Sequence, residues 1–386
     1  MTSHYLAKLR MLLQRSLRQP LRLNPRLKQP ATPSDTQTAI TGLISLTLPL
    51  FMFMAYFSLS GCDDAGSDAN SSDASDHLVV YCAHDSIYSE EILNRFTKET
   101  GIDIDIRFDT EATKSLGLVQ SIIAEAEHPR CDVFWNNEIL GTLDLAERGL
   151  LHAYQSPNAD RIPAKFKSTD STWTGFGGRL RLYIINTNKM EASPESVEEA
   201  LTGDLSQMAV AKPLYGTTLT QYALMWSEMG GDAVKEWYQQ RTKQGWKIVQ
   251  GNAVVKNLVA SGVCEFGWTD TDDYFLAVDD KQPVAMLPIR TEGGQTICIP
   301  NTVAIVKGTE QESASQQLVD FLLSPEIELA LANSRSRQVP LGTVDETKLP
   351  EQVKQLQEWA AEGVPLEGLL KARNECLDWL KEEFLQ

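Results

Sequence analysis

The chain has no CxxC pair, no HExxH helix, no nucleophile elbow, no dinucleotide fingerprint and no phosphate-gripping loop. With them go the simplest readings as thiol oxidoreductase, zinc knuckle, zinc protease, serine hydrolase or nucleotide enzyme. A secreted enzyme of some other kind, working in a cleft, stays open as the alternative of a different class. Positive charge is scarce beyond the first sixty residues. From Cys62 onward there are 28 basic and 51 acidic side chains, a formal charge of about −23. Such a surface repels nucleic acid and anionic membrane, so neither is expected as a partner. Cysteine is also sparse. Besides Cys62 there are Cys82, Cys131, Cys264, Cys298 and Cys376, an odd number that cannot all pair within one chain. Cys82 with Cys131, and Cys264 with Cys298, fall early in short apolar runs and could each bridge neighbouring strands.

What is present begins with an address. Seven Lys or Arg and one acid occupy residues 1–38, and "AITGLISLTLPLFMFMAYFSLSGC" then runs uncharged from Ala39 to Cys62. A basic segment before an apolar one is the pattern of a secretory signal or of a membrane anchor. Leu59-Ser60-Gly61-Cys62 resembles the box at which a bacterial lipoprotein signal is cut and the cysteine lipidated. The expectation is a signal over 1–61 and a lipid anchor at Cys62, with an uncleaved anchor as the alternative. "DDAGSDANSSDASD" holds no large apolar residue and cannot offset the entropy of ordering, so residues 62–76 read as a disordered tether. Asp63 after the cysteine resembles an inner-membrane retention signal. The expected location is therefore periplasmic, on a tether to the inner membrane.

Beyond the tether, about 310 residues suffice for two domains. "HLVVYCAH" reads as a strand, "SEEILNRFTKETG" as an amphipathic helix, and "IDIDIRF" alternates with period two as an edge strand does. "CDVFW", the stretch around Leu180–Ile185, "MAVA", "VCEFGW" and "ICIPNTVAIVKG" are further strands. Helical patterns lie between them and dominate the end of the chain. Strands alternating with helices give an α/β class with mainly parallel sheets and flanking helices.

In such sheets ligands bind outside the carboxyl ends of strands. Four polar clusters fall there: His84 after the first strand, Asn136–Glu138 after "CDVFW", Gly216–Thr218 before a helix, and Asp270–Asp273 after "VCEFGW". Thr217, Thr218 and Asn252 could seat an anion at helix entrances, or simply cap those helices. Asp270 and Asp272 could receive a ligand's hydroxyl or ammonium groups, or cap "DDYFLAV" through Thr271 or Asp272. His84, Glu138, Asp273 and Tyr274 could supply imidazole, carboxylate and phenolate to a hard cation such as Fe(III). Tyr183 reads as core, and Arg179 and Arg181 as ion pairs or cleft-closing groups.

Taken in order, "CDVFWNNEILGTLDLAERGLL", "TWTGFGGRLRLYIINTNK", "VAKPLYGTTLTQYAL", "GNAVVKNLVASG", "EFGWTDTDD" and "IPNTVAIVKGT" resemble the periplasmic solute-binding proteins of ABC importers. The branch they resemble includes the ferric-iron-binding proteins. That resemblance implies a two-lobed type II periplasmic-binding-protein fold with a hinged cleft. Residues 77–176 and 302–350 would form lobe 1, and 177–301 and 351–386 lobe 2. It further implies a monomer that performs no catalysis and hands its solute to an ABC permease and its ATPase. The solute would be Fe(III) with carbonate or phosphate, held through His84 and Glu138, with the anion near Thr217, Thr218 and Asn252. The branch places two adjacent tyrosines beyond the "GW" strand. Here "TDTDDYF" leaves only Tyr274, which suits another metal complex or a small organic ion, such as a polyamine, phosphonate or hydroxy acid, as the alternative.

Overall fold

The computed structural model describes residues 77–109 and 116–384. The basic leader, the apolar run with Cys62 and the acidic tether lie outside the described residues.

The strands, in chain order, are β1 (His77–Cys82), β2 (Asp103–Phe108), β3 (Val133–Asn136), β4 (Leu151–His152), β5 (Thr174–Asn186), β6 (Met208–Ala211), β7 (Lys247–Val249), β8 (Phe266–Asp270), β9 (Val284–Pro288) and β10 (Cys298–Val306). Their order is β2-β1-β3-β10-β5-β8-β6-β7, with β4 on β10 and β9 on β5. β2 lies at the edge, where its alternating sequence places it, with charged side chains facing out and Ile104 and Ile106 packed inward.

Parallel and antiparallel pairing are divided by position. β1 pairs in parallel with β2 and β3, and β6 with β7 and β8. The antiparallel ladders all involve the long strands β5 and β10. β5 belongs to both sheets. Its first part, Thr174–Leu180, pairs with β10, and Arg181–Asn186 pairs with β8 and β9. The pairing with β10 slips between Pro300 and Asn301, leaving Gly177 as the extra residue, with φ 51°. Proline lacks the N–H a ladder needs and glycine tolerates the left-handed region, so the bulge forms where the sequence permits it. This is a two-lobed α/β fold of the type II periplasmic-binding kind, whose crossing strands make each sheet mixed.

Apolar side chains fill both sides of these sheets. Leu93, Phe96, Trp135, Phe176, Leu318 and Leu322 pack in one cluster with the helix Ser86–Thr100. Around β8, Trp237 stacks on Trp268 at 5.8 Å, with Trp246 and Tyr222 edge-on to the same ring, and Tyr183 packs against it as expected of core. The C-terminal helix Leu370–Phe384 packs on Gly216–Met229 and also touches Leu140–Glu147. Among the helical patterns at the end of the chain, the run "ESASQQLVDFLLSPEIELALAN" is broken in two, Glu312–Leu322 and Pro325–Asn333, because Pro325 starts a new helix under a Ser324 cap.

The two cysteine bridges considered from the sequence are not formed. All five described cysteines are buried free thiols. Cys82 stands opposite Trp135 rather than near Cys131, because the β1–β3 register aligns Val80 with Val133.

Candidate functional site

The four clusters lie at carboxyl ends of parallel strands, two on each side of the crossing strands. β1 leads to His84 and β3 to Asn136–Glu138; β6 leads to Gly216–Thr218 and β8 to Asp270–Asp273.

Asp270, Thr217, Thr218 and Asn252 form one buried network around Arg181. Arg181 donates from Nη1 to Asp270 Oδ1 at 2.7 Å and from Nε to Gln221 Oε1 at 2.9 Å. Asp270 Oδ2 accepts from Thr217 Oγ1 at 2.6 Å and from Asn252 Nδ2 at 2.9 Å. Asn252 also donates to Thr217 Oγ1, and its Oδ1 accepts from Thr218 Oγ1 and Arg181 Nη1. A hydroxyl has one hydrogen to give and an amide two, so Thr217 and Asn252 have spent their donors within the protein. The caps expected of Thr217, Thr218, Asn252 and Thr271 are absent: this network holds the first three, Thr271 Oγ1 accepts from Leu180 N at 3.2 Å, and the Asp272 carboxylate reaches only the next residue's N–H, at 3.0 Å. Asp270 is the N-cap residue by position and makes no side-chain cap. One donor remains unspent: Arg181 Nη2 is buried and has no hydrogen-bond partner.

Asp272 and Asp273 begin the helix Thr271–Asp279, where the dipole favours acids. Asp272 pairs with Arg179 Nη1 at 3.3 Å, and Arg179 Nη2 donates to the Asn137 carbonyl. Arg179 thus joins the loop after β3 to the helix after β8. Arg179 Nε is buried without a partner. Burial, then the neighbouring charges of Asp272 and Asp270, push the Asp273 carboxyl up to about 7, while Thr269 Oγ1 donates to it at 2.8 Å. Burial also raises Asp272, with Arg179 opposing it.

Glu138 is 4 % exposed and folds back on its own helix. It accepts from Leu140 N at 2.6 Å, Gly141 N at 2.8 Å and Asn136 Nδ2 at 3.3 Å. Burial raises its carboxyl, and the two N–H groups partly offset this. Glu138, Gly141, Gly216 and Arg373 line one pocket, which brings the starts of two helices together. His84 is held through Gln338 Nε2 at 2.6 Å from its Nε2, leaving Nδ1 as the donor toward the Asp85 carbonyl at 3.3 Å. Tyr274 packs its ring between two apolar clusters and edge-on to Phe275. Among the described residues no group of three or more His, Cys, Asp or Glu is placed to hold a metal ion.

One residue escaped the sequence reading. Tyr88, in the first turn of the helix Ser86–Thr100, lies 6.0 Å ring to ring from His84, and its hydroxyl is buried with no partner. Asp272 and Asp85 act on that hydroxyl, so burial and their charges push it up to about 12. In the sequence, "SIYSEE" reads only as a helix start.

Residues 91–360 match the bacterial extracellular solute-binding protein family. The chain belongs to that family. Membership implies a solute-binding role outside the cytoplasm, with delivery to an ABC permease and its ATPase. Solved structures agree on the fold. A ferric binding protein from Campylobacter jejuni aligns at 19% identity over 79% of this chain and 98% of its own, with a TM-score of 0.69. A Trichodesmium protein in complex with iron and citrate aligns at 18% over 80% and 98%, with a TM-score of 0.64. The periplasmic binding protein AfuA from Actinobacillus pleuropneumoniae, with exogenous fructose-6-phosphate bound, aligns at 21% over 81% and 99%, also with a TM-score of 0.64. Among the described residues no helix is long and apolar enough to cross a membrane.

Proposed function

We propose that this chain captures the solute of an ABC importer, and that the solute is ferric iron carried with an oxygen-rich anion. The observation that carries the reading is the pair Asp272–Asp273 at the end of β8, beside a guanidinium that already spans to Asn137. Carboxylates suit hard Fe(III). Their number is too small for a bare ion, since no three-ligand set is assembled among the described residues. A metal arriving with its own anion needs fewer protein ligands, and the spare donor of Arg181 suits that anion. His84 and Glu138 would join only by giving up the partners they now hold, and Tyr274 by turning out of its apolar packing. Thr217, Thr218, Asn252 and Asp270 would then act by fixing the helix entrances whose backbone N–H groups meet the anion, carbonate or phosphate included.

In this reading lobe 1 comprises residues 77–176 and 302–350, and lobe 2 comprises 177–301 and 351–386. The monomer is tethered through a lipid on Cys62, at the periplasmic face of the inner membrane. Closure of the lobes on solute is what the permease recognises.

Titration calorimetry on the full chain in mild detergent tests the assignment, with ferric citrate, Fe(III) plus bicarbonate, Fe(III) alone and fructose 6-phosphate as probes. Saturable one-to-one heat with iron plus anion, weaker without the anion, is expected. No saturation with any form of iron, beside tight uptake of fructose 6-phosphate, overturns the iron assignment. That outcome would select the second reading, a phosphate-bearing organic solute, which the buried unspent Arg181 Nη2 and the sugar phosphate bound to AfuA both favour.

A further inference from the structure

We propose that Tyr88 contacts the captured solute, its phenol O–H donating to an oxygen of that solute. The inference rests on the reading that the solute binds between the ends of β1, β3 and β8.

A buried hydroxyl without a partner forfeits its hydration and recovers nothing, so the folded chain is less stable for having it there. Phenylalanine would fill the same space without that cost. Tyr88 is also poorly placed to be ordinary core. It lies in the first turn of its helix, between exposed Ile87 and buried Ser89, while the apolar cluster under that helix is built from Ile92, Leu93 and Phe96. Its ring instead leans on His84, which in turn packs against Trp135 at 5.2 Å. The charges that reach its hydroxyl come from both sides of the crossing strands: Asp85 in the turn after β1, and Asp272 and Asp273 after β8, with Arg335 opposing them.

A tyrosine phenol keeps its proton at neutral pH, so the group is a donor. A donor there calls for an acceptor oxygen. Trp135 Nε1 and Arg179 Nε, both buried and unpaired, add further unspent donors in this region. A solute presenting several oxygens, such as a carboxylate complex of iron or a phosphate ester, matches donors of this kind. Tyr88 would thereby select for the oxygen-bearing part of the solute, whether or not that part carries a metal.

The test compares the full chain with Tyr88→Phe, in detergent, by thermal melting and by calorimetry with ferric citrate and with fructose 6-phosphate. The expected result is a split. The melting temperature of the variant is unchanged or higher, while affinity for whichever probe the parent takes up falls about tenfold or more, the effect of one hydrogen bond to a charged acceptor. Unchanged affinity overturns the proposal. So does a fall in melting temperature of about 2 °C or more, which would mean that the hydroxyl has a partner inside the protein. If the parent takes up neither probe, both solute assignments fail. Melting, which needs no ligand, then decides Tyr88 alone: an unchanged or higher value supports it, a lower value sinks it.

Discussion

Arg181 and Asp270 are register partners across β5 and β8, and their side chains meet at 2.7 Å with the guanidinium fully shut off from water. Removing one member of a buried pair leaves the other charge uncompensated, which costs about 3–5 kcal/mol. Arg181→Met is expected to lose that much in urea unfolding. A loss under about 1 kcal/mol would mean that Asp270 is satisfied by Thr217 and Asn252 alone.

Glu138 tests a local role. It takes the N–H groups of Leu140 and Gly141 at the start of Leu140–Glu147, whose N-cap residue Ile139 offers no cap of its own. Glu138→Ala should cost about 1–2 kcal/mol, the range for loss of a helix cap. Melting of the ligand-free chain reads this directly. No change would show that its hydrogen bonds carry no net stability.

Gly267 is the register partner of Ala209 where β8 pairs with β6. A Cβ there would come within 2.4 Å of the Ala209 carbonyl oxygen and 2.6 Å of Val255 Cγ1. Backbone cannot yield as a flexible side chain does, so Gly267→Ala should destabilise by about 1–3 kcal/mol. Since β8 delivers Asp270–Asp273, affinity for the solute should fall with it. Denaturant melts and a binding titration on the same sample check both effects.

Asp279 gives a pH signature. Arg337 grips both its oxygens, at 2.6 and 3.0 Å, and with Arg335 holds the carboxyl below its usual range. A depressed folded value means that the stabilisation is present above the unfolded pKa, about 3.9, and is lost as pH falls through the folded one. Asp279→Asn should therefore melt lower than the parent at pH 7, by the equivalent of about 1 kcal/mol or less. The gap should close toward pH 2. A gap independent of pH would rule out the charge as its source.

Much of the architecture was legible because its signals are local. The alternation of "IDIDIRF", the apolar run of "CDVFW" and the glycine-bounded helices each declare themselves within ten residues, and strand ends then mark where a ligand belongs. What stayed hidden depends on partners remote in sequence. Whether Asp270 faces a ligand or turns to Arg181 is decided by a strand 89 positions earlier. Tyr88 acquires meaning only when folding buries its hydroxyl without a partner. The short strands β7 and β9 have no periodicity of their own and exist through the neighbours they pair with. The cysteines misled for the same reason, since similar placement in two strands does not put two thiols side by side.

The slip at Pro300–Asn301 has a mechanical consequence. A rotation of one lobe against the other would bend β5 and β10 most cheaply where their ladder is already interrupted, at Gly177. Asn301 Nδ2 holds the Gly177 carbonyl and donates to Gln338 Oε1, and Gln338 in turn grips the imidazole of His84. An incoming solute that draws the imidazole away from Gln338 would pull on the pivot itself, linking occupancy to movement through three consecutive hydrogen bonds.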